Sequence, residues 1–158
     1  MPRMIINNWN LQVALWLRYY TYERVENGDK RNRGTAAFVT FMVSAFWHGF
    51  MPCYYGFFIG LHLLLEISRS MFKLKSTIEY IPYYIRLVLG LLLTQFFIVH
   101  LGCIYQARTG ENMWGLWTNT YFVCPVLLIV IFTSCKILEG VFAKPRKDKS
   151  SGKKEKIE

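Results

Sequence analysis

Charge is missing from three long stretches of this chain. No Asp, Glu, Lys or Arg occurs from Gly34 to Leu65, from Leu87 to Ala107, or from Asn112 to Cys135. A helix crossing a bilayer core roughly 30 Å thick needs about 20 apolar residues, and each run is long enough. An ordinary solvated domain is thereby excluded. Acidic residues are also scarce, with 10 Asp and Glu against 19 Lys and Arg among 158 residues, a formal charge of +9. No RNA- or DNA-binding motif accompanies that excess, so nucleic acid is not the expected partner. Cysteine is sparse, and its four copies (Cys53, Cys103, Cys124, Cys135) form no CxxC pair. A disulfide framework or a metal site is not expected, and each thiol reads as a small hydrophobe. The opening MPRMIINNWN lacks the apolar core of a signal peptide, which leaves membrane insertion to the internal spans.

The charge that is present lies around those runs. Basic residues gather from Arg18 to Arg33, from Arg69 to Lys75 and from Lys144 to Lys156. Lysine and arginine favour the cytosolic ends of spans, so all three clusters belong on one side, with the short loop near Gly110 on the other. Residues 5–25 read as an interfacial helix, in which Trp9, Val13, Trp16 and Tyr20 share a face flanked by Arg18 and Arg24. Asn27-Gly28-Asp29 marks a turn. Residues 35–70 stay uncharged for longer than one span requires, and Gly49 and Pro52 predict a break between two helices. Further spans are expected from about Tyr83 to Ile104 and from about Leu116 to Leu138. The fold expected is all-α: a polytopic transmembrane protein with an interfacial N-terminal helix and a broken or re-entrant pair around His48. Residues 1–143 form one membrane domain and residues 144–158 a basic, disordered tail.

Within the charge-free segment, Thr40, Ser44 and His48 lie four apart and share a helix face. Beyond the break, Tyr55, His62 and Glu66 define a second face, and two such stripes meeting at the break are expected to build a pocket. Spacing alone leaves two readings of His48 open. It is a group poised for chemistry, as ionisable residues inside a membrane often are, or a histidine bonded to a neighbour while Thr40 and Ser44 bond back to the backbone. His62 and His100 read as packed or hydrogen-bonded histidines. Asn10 reads as a helix N-cap.

The string SAFWHGFMPCYY, from Ser44 to Tyr55, follows Trp9-Asn10 and the block WLRYYTYERV from Trp16 to Val25. In order and separation these blocks resemble the membrane-bound O-acyltransferase family, and within it the lysophospholipid acyltransferase branch. The resemblance implies that His48 is the catalytic histidine and Asn10 its partner. It also implies that Ser44, Trp47, Tyr54 and Tyr55 contact substrate. The implied reaction moves an acyl chain from acyl-CoA, a co-substrate, to the free hydroxyl of a lysophospholipid, with no resident cofactor. A sterol, diacylglycerol or protein acceptor is the enzymatic alternative, and a non-catalytic truncated membrane subunit the other. Cys53 stands where the family pattern has glycine, placing a side chain where backbone approaches substrate. Members of the family carry further spans before the Trp-Asn block, so this chain is expected to be a C-terminal portion that needs them. Its ending, Lys-Glu-Lys-Ile-Glu, is similar to the dilysine retrieval signals of endoplasmic reticulum membrane proteins. That location, with a cytosolic tail, is expected.

Overall fold

A computed structural model describes residues 10–28, 32–75 and 77–142. Trp9, the connector residues Asp29, Lys30 and Arg31, and the basic tail with its dilysine-like ending lie outside the described residues. The described chain is helical, with no strand. In order, the helices are α1 (Leu11–Leu17), a π-helical turn (Arg18–Tyr22), α2 (Glu23–Glu26), α3 (Arg33–His48), α4 (Pro52–Lys73), α5 (Tyr83–Gln106), α6 (Gly110–Asn119) and α7 (Val123–Phe142).

The N-terminal helix is thus three joined pieces. Its aromatic face survives the π-helical turn: the rings of Trp16 and Tyr20 stack with centroids 6.0 Å apart, and the Arg24 guanidinium lies 5.4 Å from the Tyr20 ring. Arg33 donates to Glu26 at 2.7 Å, tying α2 to the start of α3.

The break expected near Gly49 and Pro52 is present. Gly49 adopts φ 127°, a conformation that L side chains rarely take, and α3 ends there. Met51 is extended, and Pro52 opens α4 at the first helical position, where its missing N–H costs nothing. The two helices fold back and pack against each other.

Helix α4 is the centre of the molecule, packing on α3, α5 and α7. Cys53, Leu64, Phe97, Leu101, Ile104, Cys124 and Leu128 form the core between them. A small residue sets the α4–α5 approach: a side chain at Gly60 would overlap Leu101. Such close backbone contact is a common means of helix association in lipid.

Among the described residues, two helices are long and apolar enough to cross a membrane. Helix α5 has 24 residues and a mean hydropathy of 2.2; α7 has 20 and 1.9. Only 17% and 11% of their most apolar windows are buried within the chain, whereas the core helix of a soluble protein would be mostly covered. Outward apolar surface of this kind suits lipid. The run expected to start near Leu116 is divided instead. Helix α6 ends at Asn119, and Tyr121 and Phe122 take φ 51° and 54° before α7 begins.

One end of the bundle is a charged clamp between α4 and α7. Glu66 pairs with Arg69 and, at 3.1 Å, with Lys136 of α7. Ser70 donates to Glu139 at 2.8 Å, and Lys73 pairs with the same carboxylate. Burial of Glu66 and Ser70 among these partners fixes the ends of the two helices side by side.

Candidate active site

His48 is the last residue of α3, at the opposite end of α4 from that clamp. Its imidazole is enclosed on one side by aromatic rings from two other helices. Tyr54 and Phe58 of α4 lie 5.9 and 5.2 Å away by centroid, Phe58 nearly parallel to the imidazole. Tyr105 of α5 stands edge-on at 5.9 Å, with its hydroxyl 3.4 Å from His48 Nδ1. His48 is otherwise exposed, and the neighbouring Trp47 ring is 66% exposed. The site therefore has an aromatic back wall and an open front.

Tyr105 was not singled out by the sequence. It lies 57 residues from His48 in a continuous apolar run, so only the folded chain brings the two together. The Tyr54 and Tyr105 rings are also adjacent, with centroids 5.2 Å apart, and Phe57 packs on Tyr105 at 5.1 Å.

Beside this site is a half-open groove of about 280 Å³ between α1 and α3. Gln12, Val13, Trp16 and Leu17 form one wall, Ser44 and Trp47 the other. Ser44 and Trp47 therefore share a groove, while Tyr54 stands at the histidine. Tyr55 is partly buried on α4. Thr40 bonds back to the Ala36 carbonyl at 2.7 Å. The pocket arises from the N-terminal helix rather than from a second polar stripe. His62 packs edge-on against Phe38 and Phe41, and Glu66 belongs to the clamp, so neither reaches the break. Of the packed or hydrogen-bonded alternatives, His62 takes the packed one, and His62 Nδ1 and His100 Nε2 are buried without a hydrogen-bond partner among the described residues.

Asn10 caps α1. It sits at φ 42°, which asparagine tolerates better than most residues, and its side chain accepts from Val13 N–H at 3.5 Å. Among the described residues no hydrogen bond joins Asn10 to His48. Nor does any group of three His, Cys, Asp or Glu side chains come together there.

The sequence profile of the membrane-bound O-acyltransferase family matches residues 3–106, from the N-terminal helix through Tyr105. The chain belongs to the membrane-bound O-acyltransferase family. Among curated relatives, Lysophospholipid acyltransferase 2 of Arabidopsis thaliana is 37% identical over 70 residues, 44% of this chain and 15% of that protein. Membrane-bound glycerophospholipid O-acyltransferase 2 of Homo sapiens is 38% identical over 69 residues, 44% of this chain and 12% of its own length. A longer alignment joins the Lysophospholipid acyltransferase of Schizosaccharomyces pombe, 26% identical over 130 residues, 77% of this chain and 26% of that protein. The chain thus spans about a quarter or less of the length of these O-acyltransferases. No solved structure is significantly similar to it.

Proposed function

We propose that the protein carrying this chain is a membrane O-acyltransferase that moves an acyl group from acyl-CoA to the free hydroxyl of a lysophospholipid, with His48 as general base. The observation that carries this reading is the placement of the family's Trp-His-Gly block. It puts an imidazole at the end of a broken helix, against an aromatic wall and next to an apolar groove.

The side chains suit that chemistry. The lysophospholipid hydroxyl gives its proton to His48 Nε2 as its oxygen attacks the thioester carbonyl carbon. The carbon–sulfur bond then breaks, CoA leaves as thiolate, and the imidazolium returns the proton to the sulfur. No covalent enzyme intermediate is needed. A base at Nε2 requires the tautomer with hydrogen on Nδ1, and the Tyr105 oxygen, 3.4 Å from Nδ1, is placed to accept it. The groove bounded by Val13, Trp16 and Trp47 suits an acyl chain, and Ser44 supplies a hydroxyl on its wall. Tyr54, whose ring lies 5.9 Å from the imidazole, and Tyr55 contact the acceptor in this reading, roles they take from the family resemblance. Asn10, at the mouth of α1, orients the acceptor or donates to the developing oxyanion, a role it takes from the family resemblance.

The aromatic N-terminal helix suits the headgroup level, and α3 and α4 a re-entrant pair beside the spans α5 and α7. An endoplasmic reticulum location with a cytosolic tail completes the proposal.

The test uses the full-length protein in membranes. Wild type and His48→Ala are compared for transfer of labelled acyl groups from acyl-CoA to a lysophospholipid series, with sterol and diacylglycerol as alternative acceptors. Loss of transfer in the variant, at unchanged membrane abundance, is expected. Undiminished transfer would remove His48 from the mechanism, and transfer only to another acceptor would reassign the substrate.

A further inference from the structure

A second groove lies at the opposite end of the bundle from His48. It has a volume of about 260 Å³ and runs between α4 and α5, with Ile131 of α7 contributing to its lining. Leu64, Ile67, Leu87, Leu93 and Phe97 make its walls apolar. Three polar groups interrupt them: Arg86, Ser68 and Thr94. The Nε of Arg86 is buried and has no hydrogen-bond partner, and no carboxylate pairs with this guanidinium among the described residues. Arg18, Arg33 and Arg69, by contrast, each hold a glutamate. The hydroxyls of Ser68 and Thr94 bond to no described residue either. Thr40, Thr118, Thr120 and Thr133 all bond back to their helices.

We infer that this groove binds an intact phospholipid of the bilayer, its phosphate on Arg86 and one acyl chain along the apolar walls. Charge complementarity decides the occupant. A cation with a buried, unsatisfied N–H is costly in an apolar setting and calls for an anion with oxygen acceptors. The apolar walls beside it call for hydrocarbon. A phospholipid supplies both at the spacing of one amphiphile, and α5, largely uncovered by protein, opens the groove to lipid.

This is not the acyl-transfer site. Arg86 is 19 positions before Tyr105 on one helix, roughly 28 Å at 1.5 Å per residue, and Ser68 is some 15 Å along α4 from Phe58. The bound lipid is structural: it fills the α4–α5 cleft and reacts with nothing.

Photocrosslinking in the full-length protein tests it. The protein is placed in phosphatidylcholine nanodiscs containing a small fraction of diacyl phosphatidic acid with a photoactivatable group in one chain. That probe has no alcohol to acylate, so it is not turned over, and any occupancy of the acceptor site would crosslink near His48 rather than in this groove. Crosslinks are expected within residues 64–71 and 87–97. Arg86→Gln should reduce them about tenfold, the usual weight of a charge-assisted hydrogen bond, and Arg86→Lys should retain most of the signal. Gly90→Leu supplies a variant that leaves Arg86 in place. A Cβ at Gly90 meets nothing within 4 Å and Gly90 lines the groove, so a leucine there should occupy the groove and the same crosslinks should be lost. Equal crosslinking in wild type, Arg86→Gln and Gly90→Leu would overturn the site. So would crosslinks from a photoactivatable residue at position 68 to another polypeptide segment, which would show protein rather than lipid on Arg86. Failure of acyl transfer in His48→Ala, or its persistence, bears on neither outcome.

Discussion

The His48 ring is placed by a handful of short contacts, and each can be weighed separately. Tyr105 touches only the nitrogen that faces away from substrate in the proposed reaction, so it acts as a positioning residue. Tyr105→Phe keeps the packing against Tyr54 and Phe57 and removes one hydroxyl. The turnover of acyl transfer should fall about two- to tenfold with little change in KM, the weight of one neutral hydrogen bond. A change confined to KM would place Tyr105 at substrate instead. Gly49 acts on the same ring through the backbone. At φ 127°, any side chain is strained, while a Cβ would meet the Tyr54 ring only at an ordinary contact distance of 3.5 Å. Gly49→Ala should therefore cost about 1–3 kcal/mol, read as a lower melting temperature in detergent, and should also displace His48. Little of this residue geometry was legible in sequence. The Ser44–His48 spacing gave the histidine a face, but Tyr105 is 57 positions away, in a run where every neighbour is equally apolar.

At the scale of the helices, the sequence was legible wherever backbone chemistry punctuates it. Gly49 and Pro52 ended one helix and began the next as expected, because each residue restricts the backbone in its own way. The turn between α6 and α7 was hidden for the converse reason. Tyr121 and Phe122 carry its positive φ values, and neither residue type signals a turn. No Asp, Glu, Lys or Arg marks that turn, so it sits unseen inside a charge-free run. The contact of α4 with α5 makes an element-scale prediction. Gly60→Val should destabilise the fold by about 1–3 kcal/mol through overpacking against Leu101. Leu101→Ala alone should also be destabilising, since it leaves a cavity beside the buried Phe97 and Ile104. The double variant should be more stable than the sum of the two losses, a coupling that thermal melting of the four proteins would measure. Simple additivity would mean that the two helices do not meet at this pair.

For the molecule as a whole, the helix directions decide how it sits in a bilayer. The clamp of Ser70 and Lys73 on Glu139 puts the end of α4 and the end of α7 together. The start of α3 lies toward that same end, because α3 runs back along α4 from His48, with Phe41 and Phe38 packing on His62 at the middle of α4. The basic residues near Arg33, from Arg69 to Lys75, and around Lys136 thus gather at one pole. His48, Tyr105 and the loop before α6 occupy the other. The charge distribution in the sequence grouped Arg18–Arg33, Arg69–Lys75 and Lys144–Lys156 on one side, and the last of these clusters lies outside the described residues. Helix α5 joins the poles, and its 24 residues reach roughly 36 Å, enough to cross the hydrocarbon core. A single cysteine at Glu79 and one at Glu111, each in a background lacking the four native thiols, should therefore differ in sealed vesicles. A membrane-impermeant maleimide should label one position from outside and the other only after permeabilisation. Labelling of both from the same side would mean that α5 lies along the surface. The outward apolar face of α5, with Val88, Leu92 and Val99 each more than half exposed, would then have to be covered by protein rather than lipid.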